Sequence, residues 1–89
     1  MHNPIDAMTA NQLKDTLTYK VFLHKEPEGS YTVTVPALPG CITYGETIDE
    51  AIEMAREAIT VYVADLKENG ESVPDDKESL EYLLNLEMV

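Results

Sequence analysis

Three short segments in the first half of the chain alternate apolar and polar residues with the period of a β-strand. Thr18 to Lys25 alternates in this way, and so does Tyr31 to Val35. Cys41 to Tyr44 is a shorter run of strand-forming residues. Because successive side chains of a strand point to opposite faces, each segment is predicted to be a strand with one apolar face. Glu26 to Gly29 supplies turn residues between the first two strands, which favours a hairpin.

Proline and glycine residues separate the second and third predicted strands. Pro36 has no N–H to donate to a sheet, so the second strand should end before it. Pro39 and Gly40 suit the central positions of a type II turn, because proline presets φ and glycine accepts a positive φ. Gly45 then closes the third strand. The sequence therefore predicts a rigid chain reversal at this point.

A long amphipathic helix is predicted from Ile48 to about Glu68, with Asn69-Gly70 as its end. Thr47 and Glu50 form a capping-box pattern, in which the Thr47 hydroxyl accepts from the Glu50 N–H and the Glu50 carboxylate accepts from the Thr47 N–H. At 100° per residue the apolar positions fall on one arc and most of the acidic positions fall opposite. One helix face should pack on the sheet, while the other is strongly acidic.

The two ends of the chain are less regular. Residues 1–17 are predicted to be a flexible extension or a short docking helix. After a turn at Asp75 to Glu78, the alternation of leucine and methionine favours a closing strand from Tyr82 to Val89, with a short helix over Lys77 to Leu86 as the competing interpretation.

These elements predict one α+β domain over residues 18–89, in the order βββαβ. A three-stranded antiparallel meander would pack against the long helix. A right-handed crossover would then place the closing strand beside the first strand.

Charge is distributed unevenly along the 89 residues. The net charge is −11, of which residues 1–45 carry −1 and residues 46–89 carry −10. Such a chain repels phosphates and lacks the basic surface of a nucleic-acid binder, so a basic protein is the more natural partner. A domain this small has a thin core and exposed sheet edges, which favours a homo-oligomer, either a dimer or a tetramer.

The single cysteine excludes an internal disulfide framework, and a reducing cytoplasm is the simplest compartment. The chain has no apolar run near the ~20 residues of a membrane span, and its first ten residues lack the apolar core of a signal peptide. The sequence thus predicts a cytoplasmic protein that does not bind a membrane.

Four blocks of residues occur in the order of a known family. They are Gly29-Ser30-Tyr31, Val35-Pro36-Ala37-Leu38-Pro39-Gly40-Cys41, Tyr44-Gly45-Glu46-Thr47-Ile48-Asp49-Glu50-Ala51 and Gly70-Glu71-Ser72-Val73-Pro74. In this order the chain resembles the HicB antitoxin family from about Tyr19 to Pro74.

The resemblance implies a partial RNase H-like fold and an antitoxin that neutralises a HicA-like RNA-cleaving toxin. The resemblance also identifies a set of family-motif positions. We interpret them as structural, because turn and helix-cap geometry accounts for them: Tyr31, Pro36, Pro39, Gly40, Cys41, Gly45, Thr47 and Glu50. Many family members append a DNA-binding domain. This chain ends fifteen residues past Pro74, so we expect no operator binding by this polypeptide alone.

Catalysis is not expected. An RNase H-like nuclease needs several carboxylates converging on divalent ions from the central strands, and the predicted strands contain no Asp or Glu. His24 has no coded base or metal-ligand partner nearby, and Cys41 fits a small buried hydrophobe. The sequence therefore predicts no catalytic residue, metal site or cofactor.

The acidic side of the helix is the main candidate for partner binding. Asp49, Glu53 and Glu57 are spaced four residues apart, where like charges are mildly unfavourable in an isolated helix. The simpler interpretation is that these acidic residues form a solvated helix face. The more specific interpretation is that they bind a basic surface of a partner. Met54 and Val61 lie at the shoulder, either as partner anchors or as the edge of the core.

Phe22 is predicted to lie with His24, Thr32 and Thr34 on the sheet face turned away from the helix. An exposed Phe there hints at a second contact surface.

The leading hypothesis is a non-enzymatic antitoxin that acts by steric and electrostatic occlusion. An orphan oligomeric adaptor or regulator without a toxin is the alternative, and a degenerate nucleic-acid-binding domain is disfavoured by charge.

Overall fold

The structure, a computed structural model, describes residues 16–88. Three strands are followed by one helix: β1 (Phe22–Lys25), β2 (Tyr31–Thr34), β3 (Ile42–Gly45) and α1 (Ile48–Glu68). The strands form one antiparallel sheet in the order β1-β2-β3, and α1 packs against it. The α+β class, the antiparallel meander and the helix bounds are as predicted.

The first strand is shorter than the predicted Thr18 to Lys25. Phe22 pairs with Thr34, the last residue of β2. The next residue of the chain, Val35, donates its N–H to the Cys41 carbonyl at 3.0 Å instead. Residues 18–21 therefore find no partner on β2, because that strand has already ended at the proline turn.

Two successive turns connect β2 to β3. The Leu38 N–H donates to the Val35 carbonyl at 3.0 Å, and the Cys41 N–H donates to the Leu38 carbonyl at 2.9 Å. Gly40 occupies the third position of the second turn with φ of 82°. This hydrogen bond and this φ confirm the predicted type II turn at Pro39-Gly40.

The core is small and lies between the sheet and α1. Among the described residues the buried apolar side chains are Val33, Val35, Leu38, Cys41, Ala51, Ala55 and Val63. The helix contributes two alanines and one valine to this set, so it approaches the sheet closely. Gly45 marks the closest point, because a Cβ built on it would lie 2.4 Å from the Ala51 backbone nitrogen.

The helix begins and ends where the sequence predicts. The Glu50 N–H donates to the Thr47 hydroxyl at 3.0 Å, as expected. The Glu50 carboxylate accepts from the N–H of Glu46 at 2.6 Å, whereas the sequence predicted the N–H of Thr47. The carboxylate thus reaches one residue further back than in the standard capping box, and it still satisfies an N–H just before the helix. At the other end Gly70 has φ of 71°.

Replacing Thr47 with alanine should lower the free energy of unfolding by about 1 kcal/mol, because the Glu50 N–H loses its acceptor. Thermal or urea denaturation followed by circular dichroism would measure the change. Thr60→Ala is the matched control. The Thr60 hydroxyl donates to the Arg56 carbonyl inside the helix, where no orphan N–H depends on it. Equal losses in the two variants would show that capping contributes nothing specific.

The predicted closing strand from Tyr82 to Val89 is wrong for the part that the structure describes. Residues 79–88 form neither a strand nor the competing helix, and Val89 lies outside the described residues. The chain does reach the first strand's side of the sheet, since the Asp76 N–H donates to the Thr18 carbonyl at 2.7 Å. A turn closed by the Ser79 N–H and the Asp76 carbonyl, at 3.0 Å, interrupts the pairing before the apolar run begins.

The observed order is therefore βββα, and the RNase H-like detail that the resemblance implied is not confirmed. The predicted flexible extension or helix over residues 1–17 lies outside the described residues, apart from its last two positions.

Candidate functional site

The outer side of α1 carries an exposed surface that we call the acidic face, made of Asp49, Glu53 and Glu57 together with Met54 and Val61. The inner side of the helix is fixed on the sheet by its buried alanines and Val63. Because the helix has 3.6 residues per turn, fixing those positions forces the acidic face outward. All five side chains are exposed.

Little positive charge offsets the acidic face. The helix carries six acidic and two basic residues, for a net charge of −4. Within residues 16–88, the one salt bridge on the helix joins the Arg56 Nε to the Glu53 Oε1 at 3.5 Å, and both side chains are more than 60% exposed. Such an exposed pair stabilises the fold by at most ~1 kcal/mol. The acidic face therefore keeps a strong negative potential that is available to a partner.

Two apolar side chains interrupt the acidic face. Met54 is 43% exposed and Val61 is 69% exposed. They lie seven residues apart on the same side of the helix, with Glu57 between them. Apolar anchors surrounded by charged groups are a common arrangement in protein interfaces. Their exposure favours a contact surface over the edge-of-core interpretation, most clearly for Val61.

Phe22 lies on a different surface. The register aligns it with Thr34 and then with Ile42, while His24 is aligned with Thr32 and then with Tyr44. These six residues form what we call the open sheet face, opposite the side on which Val33 is buried against the helix. The grouping of Phe22 with His24, Thr32 and Thr34 was predicted correctly.

Ile42 and Tyr44 belong to the open sheet face but were not predicted as site residues. They are 49% and 66% exposed, and they share this face with Phe22, which is 46% exposed. The signal was present in the alternation of β3, whose helix-facing residues are the weakly hydrophobic Thr43 and Gly45. A hydrophobicity pattern alone would have turned the two larger side chains inward.

The predicted partner-binding residues lie on two surfaces, one on the helix and one on the sheet, as predicted from the sequence. The structure brings Asp49, Glu53, Met54, Glu57 and Val61 together on the acidic face. It places Phe22 on the open sheet face, across the sheet from the helix. A partner that covers the acidic face would leave the open sheet face available.

The family-motif residues lie in the core, in the turn before β3 and at the start of α1. Cys41 is buried in the core, where desolvation raises the pKa of its thiol, so the reactive thiolate is disfavoured at neutral pH. Pro39 offers its carbonyl to the Tyr62 hydroxyl at 2.8 Å, which ties the turn to the helix. Gly45 contacts Ala51, and Thr47 with Glu50 caps the helix. Tyr31 packs against the core beside Val33.

Residues 16–88 offer neither a metal site nor a membrane-spanning helix. No cluster of three or more His, Cys, Asp or Glu side chains in this range could hold a metal ion. No helix in the same range is long and apolar enough to cross a bilayer. His24 is exposed on β1, and His2 lies outside the described residues.

Comparison with known proteins gives a family-level match. The family model described as the HicB-like antitoxin of bacterial toxin-antitoxin systems matches residues 19–87. A UPF0150 protein of Thermoplasma acidophilum is 45% identical over 60 residues, which cover 67% of this chain and 87% of that protein. Antitoxin HicB of Escherichia coli K12 is 36% identical over 58 residues, covering 65% of this chain and 42% of that protein.

A solved structure shares the fold. The N-terminal domain of the antitoxin HicB of Burkholderia pseudomallei superposes with a TM-score of 0.58 at 46% sequence identity, covering 63% of this chain and 66% of that one. The three antiparallel strands and the helix described above match this domain. The chain thus spans less than half the length of the Escherichia coli antitoxin and two thirds of the solved domain.

Proposed function

The chain belongs to the HicB-like antitoxin family, and from this premise we propose that it neutralises a HicA-like mRNA-cleaving toxin by binding it directly. The chain would act as a non-catalytic inhibitor in a toxin-antitoxin pair. The single observation that carries the proposal is the acidic face, an exposed set of carboxylates with two apolar side chains among them.

A protein that cleaves mRNA must bind a polyanion, so its working surface is expected to be basic. The acidic face offers an anionic surface of the opposite sign. Charge complementarity of this kind raises association rates from about 10⁵–10⁶ M⁻¹s⁻¹ towards 10⁸–10⁹ M⁻¹s⁻¹ at low salt, and it suppresses wrong partners. Once docked, the helix would cover the surface on which the RNA must lie.

The apolar side chains on the acidic face supply the second part of the mechanism. Charge pairs that remain exposed at the edge of an interface add little affinity, while a desolvated apolar centre holds the complex together. Met54 and Val61 are placed to fill shallow pockets on a partner, and the carboxylates beside them would orient it. Occlusion is therefore steric and electrostatic together, and it requires no metal or cofactor.

The test is a rescue experiment with a HicA-like toxin, taken from beside this chain's own gene where one is encoded there. Induction of the toxin alone should stop growth, and co-expression of this chain should restore it. The two proteins should also co-purify as a complex through an affinity tag on the toxin. A toxin that remains active, and that does not retain the chain, would overturn the proposal. A catalytically inactive toxin is the control for expression effects, because it should still retain the chain.

One observation favours a second candidate, an orphan oligomeric adaptor or regulator that keeps the fold without a toxin. The open sheet face carries exposed Phe22, Ile42 and Tyr44, which could be covered by a second copy without any toxin. The absence of a HicA-like gene beside this one, together with self-association in solution, would favour this candidate. Neither function requires direct nucleic-acid binding.

A further inference from the structure

A groove runs along one side of α1 and borders the acidic face, because its lining residue Arg56 forms the salt bridge with Glu53. Its volume is about 640 Å³, and it lies between residues 17–21 and the helix. Its floor is apolar and is lined by Leu17, Val21, Ile59 and Val63. Arg56 and Lys67 also line it and are exposed. A groove of this size can accept several apolar side chains.

An exposed apolar segment lies near the end of the chain. We call it the apolar tail, residues 80–88. Six of its nine side chains are large and apolar, and all six are between 69 and 97% exposed: Leu80, Tyr82, Leu83, Leu84, Leu86 and Met88. The tail has no strand or helix of its own. A contiguous apolar run that is left in water marks an interaction segment.

The charges of the groove and the tail are complementary. The groove lining includes two basic residues, Arg56 and Lys67, and no acidic one. The tail carries two acidic residues, Glu81 and Glu87, and no basic one. Residues 16–88 contain only five basic residues in all, so two of the five line this one groove. Opposite charges at the rim would orient an apolar segment that enters it.

The tail begins close to the groove. The Tyr19 hydroxyl donates to the Pro74 carbonyl at 2.6 Å, and the Lys20 N–H donates to an Asp76 carboxylate oxygen at 2.8 Å. These bonds hold the chain just before the tail against the segment that forms one wall of the groove. Among residues 16–88 nothing fills the groove, and the tail is exposed.

We propose that two copies of this chain exchange their tails, so that residues 80–88 of each copy lie in the groove of the other. The two contacts are identical by two-fold symmetry, and each buries one tail and one groove. This dimer does not depend on the proposed toxin binding, and it meets the acidic face only at its border, where Arg56 pairs with Glu53.

Molar mass measured by light scattering across a dilution series tests the exchange. The intact chain should form a dimer. A variant that lacks residues 80–89 should be a folded monomer, with its dimer dissociation constant raised by at least a hundredfold, about the loss of one hot-spot cluster. Thr34→Glu on the open sheet face is the control and should remain dimeric. A monomeric intact chain, or a dimer that survives the deletion, would overturn the proposal.

A charge swap makes the test specific for the groove. Arg56→Glu with Lys67→Glu should abolish the dimer, and so should Glu81→Lys with Glu87→Lys. The variant with all four substitutions has the original net charge of −11 and should regain the dimer. A fourfold variant that stays monomeric would overturn the pairing of tail and groove.

Removal of residues 1–15 tests whether those residues, and not the tail of a second copy, occupy the groove. That variant should dimerise as the intact chain does. Loss of the dimer would instead assign the contact to those residues and overturn the exchange.

Discussion

Replacing Gly45 with alanine is expected to destabilise the fold by about 3 kcal/mol, which is the upper part of the range for forcing an extra carbon into a packed core. The added Cβ would meet the nitrogen, Cα and Cβ of Ala51 at 2.4, 2.6 and 2.9 Å. Two of these atoms belong to the helix backbone, so no flexible side chain can move aside. For a domain of this size the loss corresponds to a fall in Tm of about 15 °C.

Gly70→Ala is the matched control for this prediction. Gly70 has φ of 71° and nothing within 4 Å of a built Cβ, so its substitution tests backbone strain without a contact. Its expected cost is about 1–2 kcal/mol. Denaturation curves of the two variants measure the difference. If Gly45→Ala costs no more than Gly70→Ala, the close approach of sheet and helix at Gly45 does not limit stability.

Gly45 also shows where prediction from the sequence stops. Its position after a strand suggested only a local terminator, because glycine is common at strand ends. Its φ is not positive, so no backbone requirement explains it. The reason is tertiary, since the helix returns to within contact distance of this residue. A pattern along the chain carries no information about such a distance.

The elements with local causes were predictable. The helix follows from the Thr47 cap and a periodic apolar arc, and its acidic face follows from the same periodicity. The type II turn follows from Pro39 and Gly40 alone. The prediction of a closing strand was wrong because a strand needs a neighbouring strand to pair with as well as an alternating pattern. The alternation of the tail leucines suits either a strand or a helix, and within residues 16–88 no strand edge pairs with them.

The candidate site was likewise predictable only where the grouping of its residues has a local cause. The acidic face lies on one helix, so its grouping required only the helical period. The open sheet face required the register of three strands, and the two residues from β3 were therefore missed. The groove depends on the shortened β1, whose preceding residues 18–21 leave the sheet and form a wall. That shortening is set by the proline turn on the neighbouring strand.

If the chain binds a HicA-like toxin as proposed, reversing two charges on the acidic face should slow that association by at least tenfold at low salt. The variant combines Glu53→Lys and Glu57→Lys, and it changes the net charge from −11 to −7. Both residues are exposed and contribute little to folding, so stability should hardly change. Steering by charge acts mainly on the association rate, and salt screens it over ~10 Å at 0.1 M. Stopped-flow or surface plasmon resonance at several salt concentrations would measure it.

The matched control carries the same net charge in other places. Glu28→Lys with Glu71→Lys also gives −7, and both positions are exposed outside the helix. If the acidic face meets the toxin, only the helix variant should lose rate, and its deficit should shrink as salt rises. Equal losses in the two variants would mean that overall charge, and not this surface, directs the encounter. An unchanged rate in the helix variant would remove the acidic face from the mechanism, while leaving toxin binding itself to the rescue experiment.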